Sequence, residues 1–414
     1  MKILIYGLNY SPEPVGIGKY TGELAPWLTS RGHNVRVITA PPYFPGWRIA
    51  TGYQNFFGLD YVNGVRVWRC PIWVPRRPRG LTRLFHLASF ALSSIGPLLS
   101  QISWRPDVVI TVAPAFFCAP GALLLGRLCG RSTRSLLHIQ DFELDAAFEL
   151  GLLKGRILRS MAESWERSTL RGFDRVSSIS AAMVQRLIDK GVDQSKIIHL
   201  PNWVDLDVIY PQFGVARLEN PYRRELGIDP DQLVLMYSGS MNQKQGLDQL
   251  VTVIHYLSDI PRLVWLLAGE GPTKEEIVTA TAGLNQVLHL PLQPLGRLNN
   301  WLNAADIHLL PQKAEAADLV LPSKLLGMLA SGRPVVASSP EGSELATLAS
   351  QVGACVPPGD PASFAAAIRE LICSPQRREV AGRQARSMVE QRFGSEAVLS
   401  RFEQELEVLV ADAA

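Results

Sequence analysis

What most constrains this chain is a recurrence. Short apolar runs without polar alternation, each followed by a helical pattern, repeat from the first residue to about residue 340. In the first half the runs read KILIYG, NVRVITA, DVVITV, SLLHIQ, RVSSIS and KIIHLP. In the second half they read LVLMYSG, LVWLLAG, VLHLPL, IHLLPQ and RPVVAS. A strand with one wet face alternates apolar and polar residues, whereas a parallel strand covered by helices on both faces does not. The pattern therefore predicts an α/β fold of doubly wound parallel sheets, and 414 residues is length enough for two such domains in succession.

The helices between the runs carry their own signals. Thr273 and Glu276, next to Pro272, form a capping-box pattern. Leu247, Leu250, Val251 and Ile254 recur on one helical face. A Pro-bracketed loop, LPNWVDLDVIYP from Leu200 to Pro211, marks the boundary, and the polar, turn-rich stretch Asn220 to Asp231 delays the second core to about Leu233. The expected division is a first domain over residues 1–205, a second over 206–395, and a terminal helix over 396–414 able to cross back to the first. After Pro361 the pattern is only helical.

Net charge is only +3, which excludes a global argument for nucleic-acid binding, but the distribution is uneven. Between Tyr61 and Pro106 there are seven arginines (66, 69, 76, 77, 79, 83 and 105) and no carboxylate, so +7 lies in this window and the rest of the chain carries −4. Five scattered cysteines without a CxxC fit a reducing compartment and buried thiols. MKILIYGL lacks the long apolar region of a signal peptide, so a cytoplasmic location is expected. The most apolar stretch, Leu84 to Trp104, carries His86 and a Gly96-Pro97 break and reads as one or two helices lying at a surface, not as a membrane span.

Doubly wound sheets bind ligands outside the carboxyl ends of their strands, so the strand-end loops carry the chemistry. The first, NYSPEPVGIGKYTGELAPWL, has Gly16 and Gly18 leading into a helix; its spacing is not GxGxxG. Glycines let backbone approach a ligand, and a helix N-terminus favours an anion; the alternative is that they only make the turn. The second, LLHIQDFELDAAFELGLL, feeds His138, Gln140, Asp141, Glu143 and Asp145 toward a ligand. His138 reads as a satisfied core histidine and Asp145 as part of the following helix, which leaves Asp141 as the candidate for acid–base work.

In the third, YSGSMNQKQGLDQLV, Lys244 beside Gly246 suits a diphosphate clamp, with charge from the side chain and donors from backbone. Lys324 repeats the arrangement at the head of LPSKLLGMLASG. There Pro322 starts a helix whose first amides, at Ser323 and Lys324, have no partner within it. LLAGEGP offers the backbone and carboxylate of Glu270 to a nucleoside. The DxD strings at Asp205–Asp207 and Asp229–Asp231 lie in turns and are not read as metal sites, and HExxH, Walker A and serine-elbow motifs are missing.

Taken in order along nearly the whole chain, these stretches resemble the retaining glycosyltransferases of family 4. The matches are GIGKYTGELAPWLTSRGHNVRVIT, HIQDFELD, LPNWVD, YSGSMNQKQGLDQL, LLAGEGP, LNNWLNAADIHLLP and LPSKLLGMLASGRPVVAS. Within the family, ADLVLPSK and KQGL are most similar to the colanic-acid-type fucosyltransferases. The resemblance implies a GT-B fold, two Rossmann-like domains facing a cleft, with the acceptor held by the first and a nucleotide-diphosphate-sugar donor by the second. It also implies transfer with retention and no metal or other cofactor. A GDP-sugar such as GDP-fucose is expected over a UDP-sugar, with a saccharide or polyprenyl-diphosphate-linked acceptor, in exopolysaccharide synthesis.

Residue by residue, the family pattern implies donor contacts at Gly16, Gly18, Ser240, Lys244, Glu270, Leu321, Ser323 and Lys324. Ser240 stands where a basic residue is common. The acidic or histidine position of the first domain falls near Asp141, with Gln140 the other possible match. One departure concerns ribose. The paired glutamates around the PSK loop are replaced by Gly327 and by Leu319 beside Asp318, so ribose must be held otherwise, by backbone or by Glu270.

The expected mechanism is electrostatic: Lys244, Lys324, Ser323 and helix amides stabilise the departing nucleoside diphosphate, with Lys244 and Asp141 as the catalytic pair. The arginine window, with Trp68, Trp73 and Trp104 near its apolar stretch, suits an anionic membrane surface at about 1 kcal/mol per basic residue; the alternative is an ordinary basic surface on packed helices. Rival readings are an epimerase of the same architecture, which would act without an acceptor, and a non-catalytic two-lobed sugar-binding protein.

Overall fold

The computed structural model describes residues 1–76, 81–113, 116–130, 132–142, 156–314 and 321–412. Its contacts divide the chain into two units, Met1–Asn202 with Leu399–Ala414, and Trp203–Val398. Both are built on the expected parallel sheets, so the α/β, doubly wound reading of the apolar runs holds in each.

The first sheet comprises β1 (Lys2–Gly7), β2 (Asn34–Thr39), β3 (Gly58–Val62), β4 (Val65–Arg69), β5 (Val108–Ala113), β6 (Arg134–Ile139), β7 (Arg175–Ser178) and β8 (Ile197–His199). Its order is β3-β4-β2-β1-β5-β6-β7-β8. Strand β1 pairs in parallel with both β2 and β5, so the winding reverses there. The loop after β1, which carries Gly16, therefore leaves the sheet where such folds take their ligands. The central strands are buried along almost their whole length, as continuous apolar runs require.

Strands β3 and β4 form the sheet's antiparallel pair, and the sequence reading missed them. The signal was present. Asn63-Gly64 adopts positive φ at both positions, 49° and 80°, which is what a two-residue hairpin turn demands. The flanking VRVWR alternates burial, so it lacks the unbroken apolar run that marked the other strands.

In the second unit, β9 (Leu233–Ser238), β10 (Leu263–Ala268), β11 (Val287–Leu290), β12 (Ile307–Leu310), β13 (Val335–Ser338) and β14 (Gly353–Val356) are ordered β11-β10-β9-β12-β13-β14, all parallel. The winding reverses at β9, whose loop carries Lys244. Strand β14 is four residues long and was not read from the sequence. The polar stretch before β9 belongs to this unit rather than to a linker. Asn220 caps a short helix, Pro221–Glu225, through Tyr222 N and Arg223 N. Buried Arg223, together with Arg217, pairs with Asp306 ahead of β12. A buried carboxylate held by two guanidiniums and by Val234 N is satisfied; removing one partner would strand a charge.

The expected capping box at Thr273 does not form. Thr273 has φ −96° and ψ 1°, its side chain makes no cap, and its amide donates to Met241 O at 3.1 Å instead. That bond ties the loop after β10 to the loop after β9, and the tertiary contact overrides the local signal. The final helix, Ser395–Ala411, buries Phe402, Leu406 and Leu409. Its Glu403 pairs with His33 at 2.8 Å and Arg31 at 3.2 Å, within the first unit. Among the described residues, no helix is long and apolar enough to cross a membrane.

Candidate active site

In the second unit, three strand-end loops are fused by backbone contact. A Cβ built on Gly269 would lie 2.1 Å from Gly239 O, and one on Gly271 2.1 Å from Met241 O. Only glycine allows the loops after β9 and β10 to lie this close. Met241 N donates to Glu270 O (2.9 Å), and Lys313 N, after β12, donates to Lys244 O (3.1 Å). Glu270, Ser240 and Lys244 are exposed on this assembly. The Glu270 carboxylate accepts from Lys274 Nζ at 2.7 Å, one helical turn on, so a nucleoside there would meet a carboxylate already engaged.

Lys324 joins the same group from the far side of β9. It is the second residue of the helix Ser323–Ala330, whose first residue is exposed and whose N-cap, Pro322, has no side-chain bond to give. The Lys324 ammonium donates to Gln245 Oε1 at 2.6 Å and Tyr237 Oη at 3.2 Å, and lies 4.4 Å from the centre of the Tyr237 ring. Tyr237 in turn donates to Ser240 O at 2.5 Å. Gly239 is the passage: a Cβ there would sit 3.2 Å from Lys324 Cδ. Burial pushes the Lys324 ammonium down to about 7, and among the described residues no carboxylate pairs with it. An arriving anion would favour the charged form of this buried lysine. Leu321, preceding the helix, packs against the apolar cluster beneath.

The first unit presents a different surface. A cavity of about 190 Å³ is walled by Tyr43, Phe44, Trp47, His86 and Leu87, with Asp141 at its polar edge. Gly16, Asn9 and Arg83 also reach it. Gly16 has φ +64° and opens the helix Ile17–Ser30 without a side-chain cap. Gly18 has another duty. It is buried, and a Cβ there would lie 2.4 Å from Glu13 Oε2. The Glu13 carboxylate accepts from Tyr43 N and Phe44 N, both 3.0 Å, and Asn9 Nδ2, 2.8 Å, holding the aromatic loop after β2 against the loop after β1. Burial raises its pKa against the pull of those donors.

Within β6, His138 is the satisfied core histidine expected. Its Nδ1 lies 2.9 Å from Ser177 Oγ, Gln140 Nε2 donates to its Nε2 at 3.1 Å, and burial lowers its pKa to about 4. Gln140 is thereby occupied, and Asp141 is the group that lines the cavity, 3.7 Å from Arg83. Glu143 and Asp145 lie outside the described residues.

Two family models match the chain, a glycosyl transferase 4-like domain over residues 15–203 and glycosyl transferases group 1 over residues 232–374. WcaI of Escherichia coli (strain K12), a glycosyl transferase assigned to colanic acid biosynthesis, is 40% identical over 410 residues, covering 97% of this chain and 98% of its own. The chain belongs to the GT-B glycosyltransferases of family 4.

Solved structures agree on the transferase's fold. Sucrose-phosphate synthase from Thermosynechococcus elongatus superposes with a TM-score of 0.74 at 17% identity over 99% of each chain. Anabaena HepE in complex with UDP-glucose does so at 0.68 and 16% identity, over 99% of this chain and 100% of its own.

The structure adds residues that sequence reasoning passed over. Gln245 and Tyr237 hold Lys324, and the aromatic loop PPYFPGW with His86 walls the first unit's cavity. Gly327, where the family's ribose glutamate would stand, faces another helix: a Cβ there meets Leu302 Cδ1 at 3.2 Å, so a longer side chain has to displace a packed leucine. The arginine window also divides. Arg69 is buried and bonds Asp60, Ala40 O and Ser11 O, so its charge belongs to the core. Arg76 and Arg105 are exposed; Arg77 and Arg79, like Asp318 and Leu319, lie outside the described residues. In the same stretch of chain, Phe85, Leu92, Ile95 and Leu99 are exposed on the helices Leu81–Ser93 and Ile95–Ser100, with Trp73 also exposed.

Proposed function

We propose that the transferase moves a sugar from a nucleotide-diphosphate-sugar, a GDP-sugar such as GDP-fucose before a UDP-sugar, onto a saccharide or polyprenyl-diphosphate-linked acceptor. Transfer proceeds with retention and without a metal, in the synthesis of an exopolysaccharide of the colanic acid kind. The observation that carries this reading is Lys324: a buried ammonium at a helix N-terminus, with no carboxylate partner among the described residues, tied to the glycine loop that bears Lys244. As the glycosidic bond to the donor lengthens, negative charge gathers on the diphosphate. Lys244, Lys324 and the Ser323 and Lys324 amides are suited to receive it, and stabilisation confined to the leaving group raises turnover. Attack from the face vacated by the leaving group gives retention. Asp141, in the first unit, serves the acceptor side.

The exposed apolar residues from Phe85 to Leu99, with Arg76 and Arg83 in the same stretch of chain, support docking on an anionic membrane from which a lipid-linked acceptor is drawn. Co-sedimentation with anionic vesicles tests this; binding that ignores salt and lipid charge contradicts it.

The donor is tested by thermal shift with GDP, UDP, ADP and their sugars. A ligand at one hundred times its dissociation constant adds about 2.7 kcal/mol, so the preferred base stands out. Turnover in EDTA with the best donor, and proton NMR of the product's anomeric coupling, then test metal independence and retention. An absence of any nucleotide shift overturns the proposal. WcaI's assignment and the nucleotide complexes of solved relatives make UDP and ADP the necessary comparisons.

A further inference from the structure

We infer that the aromatic cavity of the first unit holds the terminal sugar ring of the acceptor, and that His86 accepts a hydrogen bond from one of that ring's hydroxyls. The inference rests on the transferase reading above but concerns a different unit and a different substrate.

His86 lies on the helix Leu81–Ser93 and is 1% exposed. Its Nδ1 is 2.6 Å from Trp73 O. A carbonyl can only accept, so Nδ1 carries the hydrogen, and in the neutral ring Nε2 is left as a bare acceptor. That Nε2 is buried and has no hydrogen-bond partner among the described residues. Buried polar atoms in folded proteins are satisfied with few exceptions, so an orphan acceptor calls for a donor. The ring that bears it is part of the cavity wall.

The rest of the wall describes the ligand. Tyr43 meets the His86 ring edge-on with centroids 4.8 Å apart, and Trp47 lies 5.2 Å away on the other contact. Trp47 holds φ +48°, a conformation uncommon for a bulky residue and therefore a local cost tolerated at this site. Aromatic walls with a few polar groups, here the Asp141 carboxylate, Asn9 and the Arg83 guanidinium, suit a ring with both C–H faces and hydroxyls. At about 190 Å³ the cavity is smaller than the ~300–1,000 Å³ of whole-ligand pockets, so it takes one ring of a longer saccharide. Burial, and the charge of Arg83 nearby, hold the His86 pKa below its ordinary value, so the imidazole remains the neutral acceptor the geometry requires.

Two substitutions separate a ligand contact from a packing role. In His86→Asn the amide can still donate to Trp73 O, as Nδ1 does, but nothing replaces Nε2. In His86→Gln the side-chain oxygen reaches the Nε2 region instead. The probes are p-nitrophenyl α- and β-glycosides of glucose, galactose and fucose, read by saturation-transfer NMR on the full-length protein. At least one is expected to bind wild type, to weaken about tenfold in His86→Asn, the loss of one hydrogen bond, and to recover in part in His86→Gln. Equal binding to wild type and His86→Asn, or no binding of any probe to wild type, overturns the inference. The GDP and UDP thermal shifts are expected to stay unchanged in both variants. If wild type shows no nucleotide shift, the donor reading falls instead, and the two failures are distinguishable.

Discussion

At the carboxyl ends of the first sheet, the cavity sets a few polar groups in an aromatic wall, and burial lowers the pKa of both His86 and His138. At the ends of the second sheet, glycines bring three loops into backbone contact around a buried lysine. The same winding thus carries two opposite electrostatic designs: one suits an uncharged ring, the other a concentrated anion. Such a difference is what the proposed division of labour between acceptor and donor requires. The fold supplies strand-end loops in both units, and the side chains decide which ligand each can hold.

That contrast can be broken most forcefully at the lysines. Lys324→Ala should lower turnover by about 10²–10³-fold and Lys244→Ala by about 10²-fold, as losses of transition-state donors do. Steady-state kinetics with saturating donor would show it, and an unaltered rate would remove that lysine from the site. The next largest effect is on stability, where corresponding glycines behave differently. Gly271→Ala combines φ +151° with a backbone overlap at Met241 O and should cost about 2–3 kcal/mol. Gly16→Ala meets only Phe44 Cε1 at 3.6 Å and should cost about 1–2 kcal/mol for its backbone alone, φ +64° and ψ −145°. Urea unfolding measures both; equal losses would deny the fused-loop account of the second unit.

A smaller effect sharpens the charge argument. Lys324 is protonated below about 7 and neutral above it, whereas an unfolded lysine keeps its proton to about 10.4. Donor binding that needs the ammonium should therefore weaken as pH rises above about 7, by at most about tenfold per pH unit, and should take up a proton near pH 8. Calorimetry in buffers of different ionisation enthalpy reads that proton; a pH-independent dissociation constant contradicts it. Over the same window, between about 7 and 10.4, the unfolded chain holds the extra proton, so this group makes stability rise with pH. Smallest of all, His138→Asn should cost about 1 kcal/mol through the lost Ser177 or Gln140 bond, with nucleotide shifts unaltered.

Much of this was legible beforehand because it is local. Unbroken apolar runs mark strands buried on both faces, and Lys244 and Lys324 stand where a strand hands over to a helix. The hairpin β3–β4 was not seen because its burial alternates, and Thr273 failed as a cap because its amide is claimed by a loop 32 residues earlier in the chain. Gln245 becomes Lys324's partner, 79 residues away, only when β9 and the PSK helix adjoin. His86 is the extreme case. Within LFHLASF it reads as one polar residue in an apolar helix, and its meaning arises from Trp73, Tyr43 and Trp47, which reach it from other segments.

The central claim is that the two units hold different ligands through these particular residues. The most direct measurement is calorimetric titration of GDP and UDP into wild type, Lys324→Ala and His86→Asn. The account predicts that the better nucleotide binds about ten- to a hundredfold more weakly to Lys324→Ala, the loss of a charge-assisted bond, and within about twofold of wild type to His86→Asn. Undiminished binding to Lys324→Ala, or binding lost in His86→Asn, would contradict it.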